Sequence, residues 1–373
     1  MPLSHPPRMI ARAGILACLW LLLAGASAHA ANALSDLRMT LVAPPPTRVA
    51  PDIALSGKAA AQCAPVLDRV TLDRIDLTIE LKLPTTGCDS RRTQSFALRV
   101  NPAQNTGMPI LPGQVYRVRV YATADGATHL VAFRLIDTNS PASAPVPENG
   151  FWWSQADTET GPASAGSGAS IEMQDGQLAV GLFGFTDTGA ATWYFGSARP
   201  SGRIASVSLV QLANGDSPFA PSGSQPSAHA GPRLDLEFLS PTTAHAWLIA
   251  PENGTENGYL QVRAMTLARS RFATGPIGDT WNGQWVLVND TNASARVFQF
   301  AQASSLDAET FRLVDANSDA TLECRTASAT QQPETCSLTA NSLPLADFDQ
   351  VGIDRLDGRD PSGNHVKLIR IAH

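Results

Sequence analysis

The sequence predicts an all-β protein, in which an N-terminal β-sandwich is followed by two antiparallel β domains of the meander or barrel type. Apolar residues alternate with polar ones at a period of two, as in Ile75–Leu81, which is typical of a strand with one buried face. Long stretches with helical periodicity are absent. Asp-Gly and Asn-Gly pairs, which favour the tight turns of β-hairpins, separate many of the alternating stretches.

Residues 1–30 are expected to be a signal peptide. Arg8 and Arg12 precede the short apolar run Ile15–Leu23, and Ala28–Ala30 has the small-x-small form of a cleavage site. The apolar run is shorter than the roughly 20 residues that a membrane helix needs, although a retained anchor is the alternative. We therefore expect an exported chain, periplasmic or extracellular, with no membrane span after cleavage.

Residues 31–138 are expected to form the sandwich. Two alternating stretches meet at Asp125-Gly126, a pair that suits a type I′ turn because both central residues need a positive φ. The Pro-, Ala- and Ser-rich residues 139–147 predict an extended linker, since proline cannot pair in a central strand.

Residues 148–270 are expected to form a Trp-rich β-barrel. A series of alternating stretches with short turns predicts a meander, and closing a meander removes its exposed edges. The loop Asp216–Gly231 is expected to be mobile, with a lid over a pocket as the alternative. Residues 277–373 predict a small C-terminal β domain, whose last hairpin turns at Asp357–Asn364.

Four cysteines follow the signal peptide, in two close pairs. We expect disulfides 63–88 and 324–336, that is Cys63 with Cys88 and Cys324 with Cys336, each tying neighbouring strands and contributing roughly 3 kcal/mol. A zinc site is the alternative, but no histidine lies near either pair and no C-x-x-C is present. No metal and no cofactor is therefore expected.

The charge balance bears on possible partners. The chain carries 27 Lys and Arg against 33 Asp and Glu, a formal net charge of −6. Nucleic-acid binding usually needs a basic face, and anionic lipid attracts basic segments. We therefore expect neither partner, and the oligomeric state is left open.

Two aromatic pairs are the candidate ligand-binding residues: Trp152 with Trp153, and Trp193 with Tyr194. Neighbours on a strand point to opposite faces, so each pair is split between the two sides of the sheet. One interpretation is that one member fills the barrel and the other covers the outer face or a domain contact. A second is an aromatic cup that stacks a sugar ring or an apolar ligand. A membrane belt is a third interpretation. The chain lacks the long alternating strands of an outer-membrane barrel, which argues against it.

The motif order of the middle domain resembles a widespread module of exported bacterial proteins. Its hallmarks are a G-x-W-W strand, a Gly-rich stretch, a Gln/Asp-Gly hairpin, an aromatic strand and a G-x-x-x-W-Y strand. In this chain they are Gly150, Trp152, Trp153, Gly166, Gly168, Gln174–Gly176, Phe183, Phe185, Gly189, Trp193 and Tyr194, followed by Gly215 and Phe219. The resemblance implies an eight-strand-like barrel and export, and it implies no established reaction. The insertion DTETGPASAG replaces the compact turn usual in that module. Residues 31–138 look like an immunoglobulin-like β-sandwich.

Patterns that usually carry catalysis are missing from the sequence. There is no G-x-S-x-G, zinc-hydrolase motif or phosphate loop, so no catalytic residue is assigned. Asp315, Asn317 and Asp319 imitate the first half of a calcium loop, but Ala320 and Thr326 stand where glycine and glutamate are needed. We interpret them as a polar turn.

The expected function is therefore non-catalytic. We expect an exported binding or envelope-interaction protein whose ligand is a small molecule, a glycan or an envelope protein. The alternatives are a hydrolase acting on envelope polymers through an unrecognised site, for which Asp354 and Asp357 are the acidic residues to test, and a structural role in surface assembly.

Overall fold

The computed structural model describes residues 34–372 apart from 43–50, 85, 141–143, 187, 218, 221, 253–257, 273–275, 292, 308 and 327–331. The predicted signal peptide and part of the predicted linker lie outside the described residues. The N-terminal unit contains β1 (Ser35–Val42), β2 (Asp52–Ala61), β3 (Val66–Asp73), β4 (Asp76–Lys82), β5 (Asp89–Val100), α1 (Pro102–Thr106), β6 (Val115–Ala124) and β7 (Ala127–Asp137).

The remaining strands form two further units. The middle unit contains β8 (Gly150–Gln155), β9 (Gly168–Gln174), β10 (Gln177–Phe185), β11 (Ala191–Ala198), β12 (Ile204–Ala213), β13 (Ser227–Ser240), β14 (Thr243–Pro251) and β15 (Leu260–Arg269). The C-terminal unit contains α2 (Ile277–Thr280), β16 (Gly283–Asn289), β17 (Ser294–Ser305), β18 (Thr310–Asp315), β19 (Ala320–Arg325), β20 (Thr335–Ala340), β21 (Leu343–Val351), β22 (Arg355–Arg359) and β23 (His365–Ala372). The all-β fold class is confirmed.

The N-terminal unit consists of two sheets around one core. One sheet has the order β1-β2-β5 and the other the order β3-β4-β6-β7, in which β4 and β6 are parallel. Met39 and Leu55 of the first sheet belong to the same buried cluster as Ile79 and Val120 of the second. Two sheets that share a core in this way are compatible with the expected immunoglobulin-like sandwich.

The hairpin between β6 and β7 has the geometry that its sequence predicts. Asp125 and Gly126 have φ angles of 49° and 81°, and Asp175 and Gly176, between β9 and β10, have 51° and 72°. Both central residues of a type I′ turn need a positive φ, which Gly adopts without strain and Asp tolerates.

The middle unit is a closed antiparallel barrel, which we call the middle barrel. Each strand from β8 to β15 pairs with the next, and β15 pairs back with β8. Large apolar side chains fill its interior, among them Trp152, Ile171, Val180, Leu236, Phe238 and Leu267. Alternation along every strand therefore divides residues between a packed interior and an outer wall.

One half of that outer wall is covered by the N-terminal unit. Val115, Phe133 and Leu135 of β6 and β7 form one buried cluster with Trp247 and Ile249 of β14. Trp247 is only 1% exposed although its side chain points away from the barrel interior. The outer face of β12–β15 is thus an interface between two units rather than a free surface.

The C-terminal unit is a second closed barrel of eight strands, which we call the C-terminal barrel. Glu148, just before the middle barrel, connects the two barrels. Its carboxylate accepts hydrogen bonds from the backbone N–H groups of Ile353 and Asp354, each at 2.9 Å. Its own N–H donates to the carbonyl of Pro241, in the turn between β13 and β14.

Both expected cysteine pairs are at disulfide distance. Cys63 and Cys88 are 5.4 Å apart between Cα atoms and connect the ends of the paired strands β2 and β5. Cys324 and Cys336 are 4.1 Å apart and face each other directly on β19 and β20. Each bridge lies within a single unit, as neighbouring-strand pairing requires.

Candidate functional site: an exposed aromatic surface

The PENGFWW segment places its aromatic side chains on both sides of β8. Trp152 points into the middle barrel, is completely buried, and donates from Nε1 to the carbonyl oxygen of Glu148 at 3.1 Å. Phe151 and Trp153 point outward and are 45% and 43% exposed. The alternation expected from the sequence is present, and it leaves two large aromatic residues facing solvent.

The second aromatic pair is divided in the same way. Trp193 on β11 points outward and is 63% exposed, whereas Tyr194 packs against the interior cluster. The structure therefore brings Trp153 and Trp193 to the outer wall and assigns Trp152 and Tyr194 to the interior. The four residues do not line one common cup.

Strand register brings the outward aromatics together. Trp153 of β8 pairs with Gly168 of β9, Gly168 pairs with Phe183 of β10, and Phe183 pairs with Trp193 of β11. The Phe183 ring lies 5.3 Å from the rings of both tryptophans. Gly168 makes this possible because a Cβ there would come within 2.9 Å of the Phe183 ring, which covers the glycine.

A neighbouring row forms a trough between aromatic walls. Phe151 pairs with Ser170, Ser170 with Gly181, and Gly181 with Phe195, which is 55% exposed. The floor is open, because a Cβ on Gly181 would meet only the Cβ of Ser170, at 3.9 Å. Three strand spacings separate Phe151 from Phe195, so the walls stand about 14 Å apart at the backbone.

We call these outward side chains of β8, β10 and β11 the aromatic surface: Phe151, Trp153, Phe183, Trp193 and Phe195. Of these five residues, only Trp153 and Trp193 were among the four ligand candidates predicted from the sequence. The sequence pattern that could have identified Phe195 is its period-two spacing from Trp193, which puts both side chains on one face of β11. The small residues of β9, between β8 and β10, are a second indication. What the sequence did not show was the register that aligns these strands.

A separate polar cluster lies buried on the half of the outer wall that the N-terminal unit covers. Glu237 and His245 are register partners on β13 and β14 and are 8% and 6% exposed. Burial raises the pKa of Glu237 to about 7, although Arg203 and Arg117 oppose the shift. Burial lowers the pKa of His245, which lies 3.8 Å from Asp157 in the inserted DTETG segment.

This polar cluster belongs to the contact between units. Arg117 of β6 makes an ion pair with Glu159 of the same inserted segment at 3.3 Å. The N–H of Arg203 donates to the carboxylate of Asp137 at the end of β7. An acid and a histidine with shifted pKa values can mark a catalytic site, but here they lie between packed surfaces.

The remaining acidic candidates are engaged in local interactions. Asp354 makes an ion pair with Arg370 at 2.5 Å, and Asp357 makes one with Arg355 at 2.6 Å. Asp315 accepts from the backbone N–H of Gln299. Across the described part of the chain, no group of three or more His, Cys, Asp or Glu side chains is arranged to hold a metal ion.

No protein-family model matches the chain, and a comparison with curated proteins found no match. None of the helices in the described ranges has the length and apolar character needed to cross a membrane.

Proposed function

We propose that the chain is an exported, non-catalytic binding protein whose aromatic surface stacks the rings of a neutral glycan. The single observation that carries this proposal is the open trough beside the rings of Trp153, Phe183 and Trp193. The barrel does not need these five large aromatic side chains to form its core, because they lie on its outer wall. Contiguous exposed apolar patches of this kind mark binding surfaces.

The chemistry of the trough favours a sugar over a charged ligand. Its floor carries the Ser170 hydroxyl and the bare backbone of Gly181, and its two register rows contain no ionisable side chain. The apolar faces of sugar rings pack on aromatic rings, while their hydroxyls bond to groups such as Ser170. A width of about 14 Å between backbones leaves room for a ring between the side chains of Phe151 and Phe195.

The export part of the proposal rests on the N-terminal sequence and on the cysteines. Disulfides form and persist outside the reducing cytosol, and both cysteine pairs are at disulfide distance. The resemblance of the middle domain to an exported bacterial module, with its G-x-W-W and G-x-x-x-W-Y strands, supports the same location.

The test is isothermal titration of the full mature chain with neutral oligosaccharides of glucose, N-acetylglucosamine and mannose. Gly181→Val fills the trough floor without removing an aromatic ring, and Trp193→Ala removes a ring from the aromatic row beside the trough. Both are expected to weaken binding about tenfold or more, that is by more than about 1.4 kcal/mol, because the first blocks the trough and the second removes apolar contact area. Phe219→Ala is the matched control, since Phe219 is 96% exposed but lies in the connection between β12 and β13.

Each outcome bears on the proposal. Binding that falls in the first two variants and persists in the control supports it. Binding that survives both trough variants, or no binding by any oligosaccharide, refutes it. Shortening of an oligosaccharide during the titration would refute the non-catalytic part and favour a hydrolase.

A further inference from the structure

A second concave region lies on another side of the middle barrel. It is a cleft of about 860 Å³ between the N-terminal unit and the barrel. One wall is formed by β1 and β7, and the other by residues 199–206 and the middle of β13. Part of its lining is apolar, because Phe133 and Leu135 belong to the buried cluster that joins the two units and Ile204 packs against that cluster.

The lining of this cleft is positively charged. Four arginines and two aspartates contribute to it, a net charge of +2, whereas the whole chain has a net charge of −6. The two aspartates have their own cationic partners. Asp235 pairs with Arg233 at 3.0 Å, and Asp36 pairs with Lys58 at 2.7 Å.

Two of the arginines hold the walls in place. Arg233 donates to the carbonyl oxygen of Phe133 at 2.6 Å and so connects the barrel to the N-terminal unit. Arg134 on β7 donates to the carbonyl oxygen of Met39 on β1. The cleft is therefore bounded by strands whose relative positions are fixed by hydrogen bonds.

The other two arginines face the cleft from opposite walls. Arg38 lies on β1 of the N-terminal unit, and Arg199 follows β11 of the barrel. Both side chains are exposed, and neither guanidinium forms a hydrogen bond or an ion pair with another residue that the structure describes. A guanidinium presents a planar fork of donors that matches carboxylate and phosphate oxygens.

We propose that this cleft binds a small organic oxyanion, with carboxylate or phosphate groups held between Arg38 and Arg199. The apolar part of the lining accommodates the carbon skeleton, and the two arginines come from different units. The ligand would therefore bridge the N-terminal unit and the middle barrel. This site is separate from the aromatic surface and differs from it in ligand charge.

The experiment is isothermal titration of the full mature chain at low ionic strength with three probes. Trigalacturonic acid carries carboxylates, inorganic tripolyphosphate carries phosphates, and maltotriose is neutral. One or both anionic probes should bind, with the affinity decreasing as salt is added. The double variant R38A/R199A should weaken that binding by about tenfold or more, because charge-assisted hydrogen bonds are the strong ones.

The matched control is the double variant R91A/R92A, which removes the same charge from an exposed part of β5 outside the cleft. Its affinity for the anionic probe should remain within about twofold of wild type. Trp193→Ala should also leave anion binding unchanged, which separates this site from the glycan proposal. The proposal is overturned if neither anion binds, if R38A/R199A weakens maltotriose binding as much as it weakens anion binding, or if R38A/R199A binds the anion as tightly as R91A/R92A.

Discussion

The protonation of Glu237 should make stability depend on pH in a definite direction. Its pKa is raised from 4.5 to about 7 because the side chain is buried between β13 and the N-terminal unit. Below about pH 4.5 the carboxyl is protonated in both the folded and the unfolded chain. As the pH rises from about 4.5 to about 7, the unfolded chain loses this proton and the folded chain keeps it, so stability falls. Above about pH 7 the loss is constant.

The substitution Glu237→Gln mimics the protonated form and removes this loss. A difference of one pKa unit corresponds to about 1.4 kcal/mol, so the shift at Glu237 corresponds to about 3 kcal/mol. The variant should match wild type near pH 4.5 and exceed it by about 3 kcal/mol from pH 7 upward. Urea denaturation at half-unit pH steps measures this difference.

The matched control is Glu172→Gln, which removes one negative charge from an exposed position on β9. Its difference from wild type should not grow across the same pH range. A difference between Glu237→Gln and wild type that is equal at pH 4.5 and pH 8 would refute the reasoning. So would a variant that becomes less stable than wild type as the pH rises.

Three further predictions follow from the packing. Trp152→Ala should lower the free energy of unfolding by about 3–5 kcal/mol and Trp153→Ala by less than about 1 kcal/mol, and similar losses in urea denaturation would contradict the inside–outside assignment. Replacing Cys324 and Cys336 by Ala should cost about 3 kcal/mol in the same assay, and an unchanged midpoint would show that the bridge is dispensable. Glu148→Ala should speed limited proteolysis between the two barrels by removing the acceptor for two backbone N–H groups, whereas an unchanged digestion rate would assign the contact no role in holding them together.

Local chemistry in the sequence was enough to predict the strands and several turns. The alternation in Ile75–Leu81 and the Asp125-Gly126 pair each predicted the structure that is observed. The turn at Asn341-Ser342 was missed, because both residues adopt positive φ angles, 49° and 64°, without a glycine to indicate it. The parallel pairing of β4 with β6 was missed as well, since strand alternation carries no information about distant partners.

The candidate site was predictable only in part for the same reason. Alternation correctly put Trp152 and Trp153 on opposite faces, but it could not say which face was solvent. The contact of Trp153 with Phe183 depends on how β8 pairs with β9 across the inserted DTETG segment, and the interface role of Trp247 depends on how the N-terminal unit packs. Both are properties of non-local pairing, which a single sequence does not display.

The positions of the cysteines have a consequence for how the chain matures. Neither bridge reaches the middle barrel, and residues 148–270 contain no cysteine at all. Oxidation therefore acts on the two ends of the molecule, while the central eight strands close by packing and backbone hydrogen bonds alone. The aromatic surface therefore lies on a barrel whose closure requires no disulfide, so it can form in the reduced chain.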